Sequence, residues 1–273
     1  MSFKSSVIKN SEITPIDYLL TINELYLLGG ILQVPGFLGL EDPFPGFQMD
    51  EVKEYMETAR QSLTERNYIS QVEEGFEIDA DLLYCVQTIS SSPRIFVATK
   101  DEISIFIHAS DNLIVKQEIL LENRISLSTL DDWDEAKKHL FCFLSIPETS
   151  AAPGSGFSIN ATVIEEAKGM FQDAVPGNAQ LSCKRFLVNK GIPSEAAEAL
   201  SHNLAEKSIT GSFVVFDRDK LNLNPIGGIA WLNGSRGTWK VDLPSIKGDD
   251  FMKWAPMSSK ELINQIEELL SRL

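Results

Sequence analysis

Residues 94–127, RIFVATKDEISIFIHASDNLIVKQEILLENRISL, decide the fold. Arg94 to Ala98 is a β-rich run behind the break at Pro93. From Glu102 to Ile107 the chain alternates in part, with Ile103, Ile105 and Ile107 on one face, the period of a half-buried strand. Ala109-Ser110-Asp111-Asn112 is turn chemistry, Leu113 to Leu121 reads as the returning strand, and Arg124 to Leu127 as a short fourth. Helices flank the run. Met49, Val52, Tyr55, Met56, Ala59 and Leu63 keep helical spacing through 49–68, and Asp79-Ala80-Asp81 opens a second helix with acids where the helix dipole favours them. Asp131-Asp132-Trp133-Asp134-Glu135 starts a third, ending near Leu144 before Pro147.

The second half repeats that order. Helices are expected over Ala161–Phe171, over Ala179–Asn189 with Gly191 as its cap, and from Pro193-Ser194-Glu195 to about Lys207. Four strands follow: Ser212–Phe216, Gly228–Leu232, Thr238–Val241 and Phe251–Trp254, with Gly227-Gly228 relieving sterics at a strand start. Asn233-Gly234-Ser235-Arg236-Gly237 is a hairpin turn, and Ser258 caps a last helix striped by Leu262, Ile263, Ile266, Leu269 and Leu270. Helices, about four antiparallel strands and a closing helix thus occur twice. The expectation is an α+β fold, a pseudo-twofold repeat of antiparallel sheet units whose apolar faces need helices over them. Its halves are 1–147 and 157–273, together one globular unit, joined by a linker at 148–156 rich in small and turn-forming residues.

Composition excludes several functions. The 273 residues carry 24 Lys and Arg against 39 Asp and Glu, a net charge of −15, the wrong sign for phosphate neutralisation or for an anionic membrane surface. No nucleic-acid or membrane partner is therefore expected. No apolar run approaches the roughly 20 residues of a spanning helix, and Met1-Ser2-Phe3-Lys4-Ser5-Ser6 leads into no apolar signal core, so a cytoplasmic protein is expected. The helix–turn–helix stretch from Met49 to Asp81 has the order of part of a winged helix, but its acidic second helix speaks for a structural role.

Chemistry is sparse. His108, His139 and His202 have no Cys or carboxylate at metal-ligand spacing and read as surface or packing residues. Cys85, Cys142 and Cys183 sit in apolar stretches and read as buried, reduced thiols, Cys142 within Leu140-Phe141-Cys142-Phe143-Leu144. Neither Gly29-Gly30 nor Gly227-Gly228 has the Lys-Ser/Thr of a phosphate loop, and Asp217-Arg218-Asp219 with Asn222 lacks the glycine and closing Glu of a calcium loop, leaving a solvated loop. The expectation is no catalytic, metal or cofactor site and no enzyme activity.

Against that background the chain resembles the EspG family of type VII (ESX) secretion along nearly its whole length. Ile31-Leu32-Gln33-Val34-Pro35 is similar to the family's Leu-x-Val-Pro entry behind an apolar helix, and Leu63 to Ile69 to the end of its next helix, with Asn67 where Gly is usual. Gly191-Ile192-Pro193 before Ala196-Ala197, the Asn233–Gly237 turn, Ala255-Pro256 and the leucine-rich last helix also match. The resemblance implies a cytosolic, non-enzymatic chaperone or adaptor, monomeric or a weak homodimer. It would bind a secreted PE–PPE-like substrate and keep that partner's hydrophobic tip soluble. An immunity or accessory protein for a secreted toxin is the alternative. By position, the resemblance puts partner contacts on the hairpin residues Phe106, His108, Asp111, Asn112 and Leu113 and on Phe186 of the second-half helices, whereas Leu187 and Leu200 are expected to fill the core.

Overall fold

The computed structural model describes residues 17–34, 36–73, 75–171, 178–206, 208–219, 222–242 and 251–271. Met1–Ser6, Pro35, Glu74 and Lys207, on which parts of the sequence reading fall, lie outside them. The chain divides into two compact units. One comprises Met1–Ile95, Ile105–His139 and Asp217–Asn224, and the other Phe96–Ser104, Leu140–Phe216 and Pro225–Leu273.

The first unit opens with β1 (Asp17–Thr21), which runs without a break into α1 (Ile22–Leu32). Then come α2 (Met49–Glu65), a ribbon of β2 (Ile69–Val72) and β3 (Gly75–Ile78), and α3 (Ala80–Ser91). After β4 (Arg94–Lys100) follow β5 (Ile103–Ala109), β6 (Ile114–Leu120), β7 (Arg124–Leu130) and α4 (Trp133–Leu144). Strand order here is β1-β7-β6-β5, antiparallel throughout, with Tyr18 opposite Leu127 and Phe106 opposite Gln117. Alternation in β1 turns Tyr18 and Leu20 inward, where they meet Leu25 and Leu28 of α1, Leu63 of α2, Val86 of α3 and Val115 of β6. Burying each such aliphatic side chain stabilises by roughly 1.5–3 kcal/mol.

Thr21 has two tasks, closing β1 and capping α1. Its hydroxyl accepts from Glu24 N at 3.2 Å, while the Glu24 carboxylate accepts from Thr21 N at 2.7 Å. Glu24 is buried, so its charge needs a partner, and the Arg66 guanidinium supplies it. Arg66 also donates to the Leu19 carbonyl and lies 4.7 Å from the centre of the Tyr68 ring. Asp79 likewise caps α3 while accepting from the Tyr18 hydroxyl at 2.6 Å.

The second unit contains β8 (Phe157–Asn160), α5 (Ala161–Gly169), α6 (Asn178–Asn189), α7 (Ser194–Ala205), β9 (Ile209–Asp219), β10 (Asn222–Gly234), β11 (Gly237–Asp242), β12 (Phe251–Met257) and α8 (Ser259–Leu270). With most of β4, its strands run β4-β9-β10-β11-β12-β8. Asn160 does what Thr21 does, ending β8 and capping α5 through its side-chain oxygen. In each half a short leading strand enters a helix directly and later pairs antiparallel with the last strand of the run, β1 with β7 and β8 with β12. The repeated element order is therefore matched by repeated connectivity, and the fold is α+β with an antiparallel sheet.

The 148–156 stretch is tied to its surroundings in the second unit. Ala151 bridges Thr238 in parallel, Ala152 N donates to the Thr238 carbonyl at 3.1 Å, and the Ser259 hydroxyl donates to the Thr149 carbonyl at 3.1 Å. A Cβ on Gly237 (φ +98°) would lie 2.7 Å from the Ala152 backbone, so glycine is required there by both conformation and space.

Three readings of the sequence need correcting. Asp217-Arg218-Asp219 is not a loop but the end of β9, with Asp217 paired to Arg94 at 2.9 Å, and Asn222 already belongs to β10. Gly227-Gly228 lies inside β10, not at its start, and a Cβ on Gly228 would approach the Phe213 carbonyl to 3.1 Å. Cys142 is exposed, because Ala136, Leu140 and Leu144 form the buried stripe of α4 and turn Cys142 away. Cys85 and Cys183 are buried as expected.

Candidate partner-binding surfaces

The β5–β6 hairpin is built from its core outward. Phe106 is only 5% exposed and His108 is fully buried, so they support the hairpin and offer little or no surface. Phe106 closes on Gly39, whose φ is +77° and where an added Cβ would sit 2.3 Å from the ring. His108 is held on both sides, by Ser92 Oγ at 3.2 Å from Nδ1 and by the Gln117 oxygen at 3.0 Å from Nε2. Burial is the main cause that depresses the His108 pKa to about 3, so the ring is neutral; the Gln117 acceptor opposes the shift and the charge on Arg218 adds to it.

Beyond Ala109 the chain turns through Ser110–Leu113. The Ser110 backbone N–H and hydroxyl both donate to the Leu113 carbonyl at 3.0 Å, and the hydroxyl accepts from Leu113 N at 3.2 Å. That clamp leaves Asp111 and Asn112 exposed at the tip, while Leu113 leans on the core of the first unit. A groove of about 430 Å³ opens beside them, with Ile114, Leu130 and Trp133 giving it apolar surface and Asp111, Asp131 and Asp132 giving it charge. Asp132 accepts from Glu135 N at 2.9 Å, so its carboxylate is held by the start of α4.

Phe186 belongs to the second unit, on α6. It is half-buried against the core formed by Leu187, Leu200 and Trp239, with the Lys190 ammonium 5.2 Å from its ring centre. Leu187 and Leu200 are fully buried, as expected. Each unit thus carries its own candidate surface, the hairpin tip in the first and the α6 face in the second.

The hairpin turn after β10 is a built feature. Gly234 pairs with Gly237 around Ser235-Arg236. Asn203 of α7, fully buried, donates to the Gly237 carbonyl at 3.1 Å and accepts from Arg236 N at 3.1 Å. A third surface escapes the sequence reading. Phe44, Phe47 and Tyr55 pack against one another with ring centres 5.5–6.2 Å apart, and their signal in the sequence is the Phe44-Pro45-Gly46-Phe47 turn just before α2.

Among the described residues, no group of three or more His, Cys, Asp or Glu side chains could hold a metal ion, and no helix is long and apolar enough to cross a membrane.

No protein-family model matches the chain, and no curated protein sequence matches it. The fold does have a solved counterpart. It is similar to the Mycobacterium tuberculosis type VII secretion system chaperone EspG5, determined in complex with the PE25–PPE41 dimer, with a TM-score of 0.57 and 12% identity over 92% of this chain and 95% of that one. At that identity the likeness establishes the fold, which is EspG-like.

Proposed function

We propose that this protein is a non-enzymatic, cytoplasmic chaperone or adaptor for a secreted protein of the PE–PPE-like kind, covering that partner's hydrophobic tip before export. The observation that carries this reading is the near end-to-end likeness to a chaperone that was solved with such a dimer bound. The net charge of −15 fits a protein that must stay soluble while holding an apolar partner. The β5–β6 tip suits the role chemically, because its groove sets Leu130 and Trp133 beside the carboxylates of Asp111, Asp131 and Asp132, the last held by the start of α4. Asp111, Asn112 and Leu113 are the proposed contacts there, with Phe106 and His108 supporting them from beneath; Phe186 is a separate proposed contact on the second unit.

The test is co-expression of the tagged chain with PE–PPE-type pairs encoded in the same genome. A pair that becomes soluble and co-purifies in fixed stoichiometry is the expected result. Asp111→Lys with Asn112→Lys should release the pair while the melting temperature stays unchanged, since both side chains are exposed. If every pair is equally soluble with and without this chain, the proposal fails.

A further inference from the structure

The first unit holds a second groove, larger than that of the hairpin tip and sharing no residue with it. Its volume is about 750 Å³, bounded by the start of α1, the 39–47 segment, α2 and the β6–β7 turn. Its walls are tied down. The Gln117 side chain donates to the Leu38 carbonyl at 3.2 Å, and Phe106 backs Gly39 too closely for any Cβ. On the opposite side Ile22 N donates to the Asn123 carbonyl at 2.9 Å, and the Glu51 carboxylate accepts from Gln48 N at 2.8 Å at the head of α2. A groove fixed at each wall is preorganised and loses little freedom on binding.

Its chemistry is two-sided. Phe44, Phe47 and Tyr55 give it an aromatic wall, yet Phe47 is 42% and Tyr55 44% exposed, and Met49 beyond them is 71% exposed. Aromatic rings clustered at a groove and left open to water mark an interaction site more than a stray surface residue does. The charge is of one sign: Glu24, Glu41, Asp42 and Glu122 line the groove, and no Lys, Arg or His does. Arg66 neutralises Glu24 and Arg124 pairs with Glu122, but among the described residues neither Glu41 nor Asp42 has an ion-pair partner. Asp42 accepts only the Phe44 backbone N–H, at 2.9 Å.

We infer that this groove docks a cationic, amphipathic polypeptide segment of a protein partner, with apolar side chains on Phe44, Phe47 and Tyr55 and Lys or Arg facing Glu41 and Asp42. The unpaired carboxylates ask for a cation, and aromatic faces accept one as well. The exposed apolar surface continuing to Met49 asks for a chain longer than a small ligand. The inference does not depend on the secretion role proposed above.

The probes are three labelled peptides of about 18 residues, long enough for roughly five helical turns. One carries Leu and Lys at helical spacing, the second has Glu for each Lys, and the third has Ser for each Leu. The Leu–Lys peptide should bind the full chain saturably at one site, and the other two should not. Phe47→Ala with Tyr55→Ala, and separately Glu41→Lys with Asp42→Lys, should each weaken binding by at least about tenfold with circular dichroism unchanged. The charge-reversed pair involves only exposed side chains and tests the idea even if the aromatic pair fails to fold. Equal affinity of wild type and charge-reversed protein, or equal binding of the Ser–Lys peptide, would reduce the effect to general attraction by an acidic protein and overturn the inference. Self-association that Phe47→Ala with Tyr55→Ala abolishes would also overturn it, by making a second copy the occupant.

Discussion

His108 and Gln117 share a buried hydrogen bond of 3.0 Å between adjacent strands β5 and β6. Gln117 donates its amide to the Leu38 carbonyl, so its oxygen faces the ring, Nε2 carries the imidazole proton and Nδ1 accepts from the Ser92 hydroxyl. A single chain of donors thus links the end of α3, the hairpin and the segment before the aromatic groove. Every member is satisfied only while His108 is neutral.

That neutrality makes stability depend on pH. The unfolded imidazole titrates near the ordinary value of about 6.5, whereas burial lowers the folded one to about 3. Between those values the unfolded state binds more protons, so this contribution is complete above pH 6.5 and declines as pH falls towards 3. At pH 5 the loss from this group amounts to about 2 kcal/mol. Urea unfolding at pH 7 and pH 5 should show wild type losing more stability than His108→Gln across that interval. Equal losses in the two proteins would mean that His108 titrates normally.

Gly39 and Phe106 should be coupled. The positive φ and the 2.3 Å approach to the ring both oppose a side chain at Gly39. Gly39→Ala is therefore expected to cost about 2–3 kcal/mol, and Phe106→Ala about 3–5 kcal/mol through the lost ring. With the ring gone the steric part disappears, so the double variant should be destabilised by less than the sum of the two single changes. A strictly additive double-mutant cycle would show that the backbone, not the contact, demands glycine.

The elements legible in the sequence were those with strong punctuation. Pro93, the Ser110–Leu113 turn, the Asn233–Gly237 turn and the Ser258 cap each announce a boundary by residue type. β1 and β8 carry no such mark. They are five and four residues long, and their last residues, Thr21 and Asn160, are also helix caps, so strand passes into helix with no Gly or Pro between. The first half of β10 was hidden for the opposite reason, since Pro225 and Gly227-Gly228 look like a break but stand inside a 13-residue strand. At the candidate surfaces the sequence located the hairpin tip but not the depth of the residues behind it. Phe106 and His108 follow the strand's alternation no differently from an exposed pair, and only packing against Gly39, Ser92 and Gln117 buries them.

Asn203 should matter more than its position in an alanine-rich helix suggests. Its side chain satisfies Arg236 N and the Gly237 carbonyl in a buried setting, while its backbone carbonyl accepts from Ser208 Oγ at 2.6 Å. Asn203→Ala leaves a donor and an acceptor of the β10–β11 turn without partners, at an expected cost of about 2–4 kcal/mol. Gly234→Ala should destabilise as well, because its Cβ would lie 2.6 Å from the Asn203 amide and 2.2 Å from the Ser208 hydroxyl. Urea midpoints for both variants within error of wild type would show that the turn is held by strand pairing alone.

The three thiols offer the quickest check of the packing. Cys85 and Cys183 are buried, and burial is the first cause that raises their pKa values to about 12 and about 11, with Asp81 and Asp79 adding to the shift at Cys85. Both therefore remain protonated and shielded at mildly alkaline pH, conditions in which a thiol hardly reacts. Cys142 is exposed on the outer face of α4, opposite the Ala136, Leu140 and Leu144 stripe. Under reducing-agent-free conditions near pH 8, Ellman's reagent should titrate one thiol per chain rapidly in the native protein and all three after denaturation. Cys142→Ser should abolish the rapid phase and leave stability unchanged, as expected of an exposed side chain. A rapid phase of zero would instead place the Cys142 face of α4 inward, and rapid reaction of all three would show that neither unit keeps its core closed.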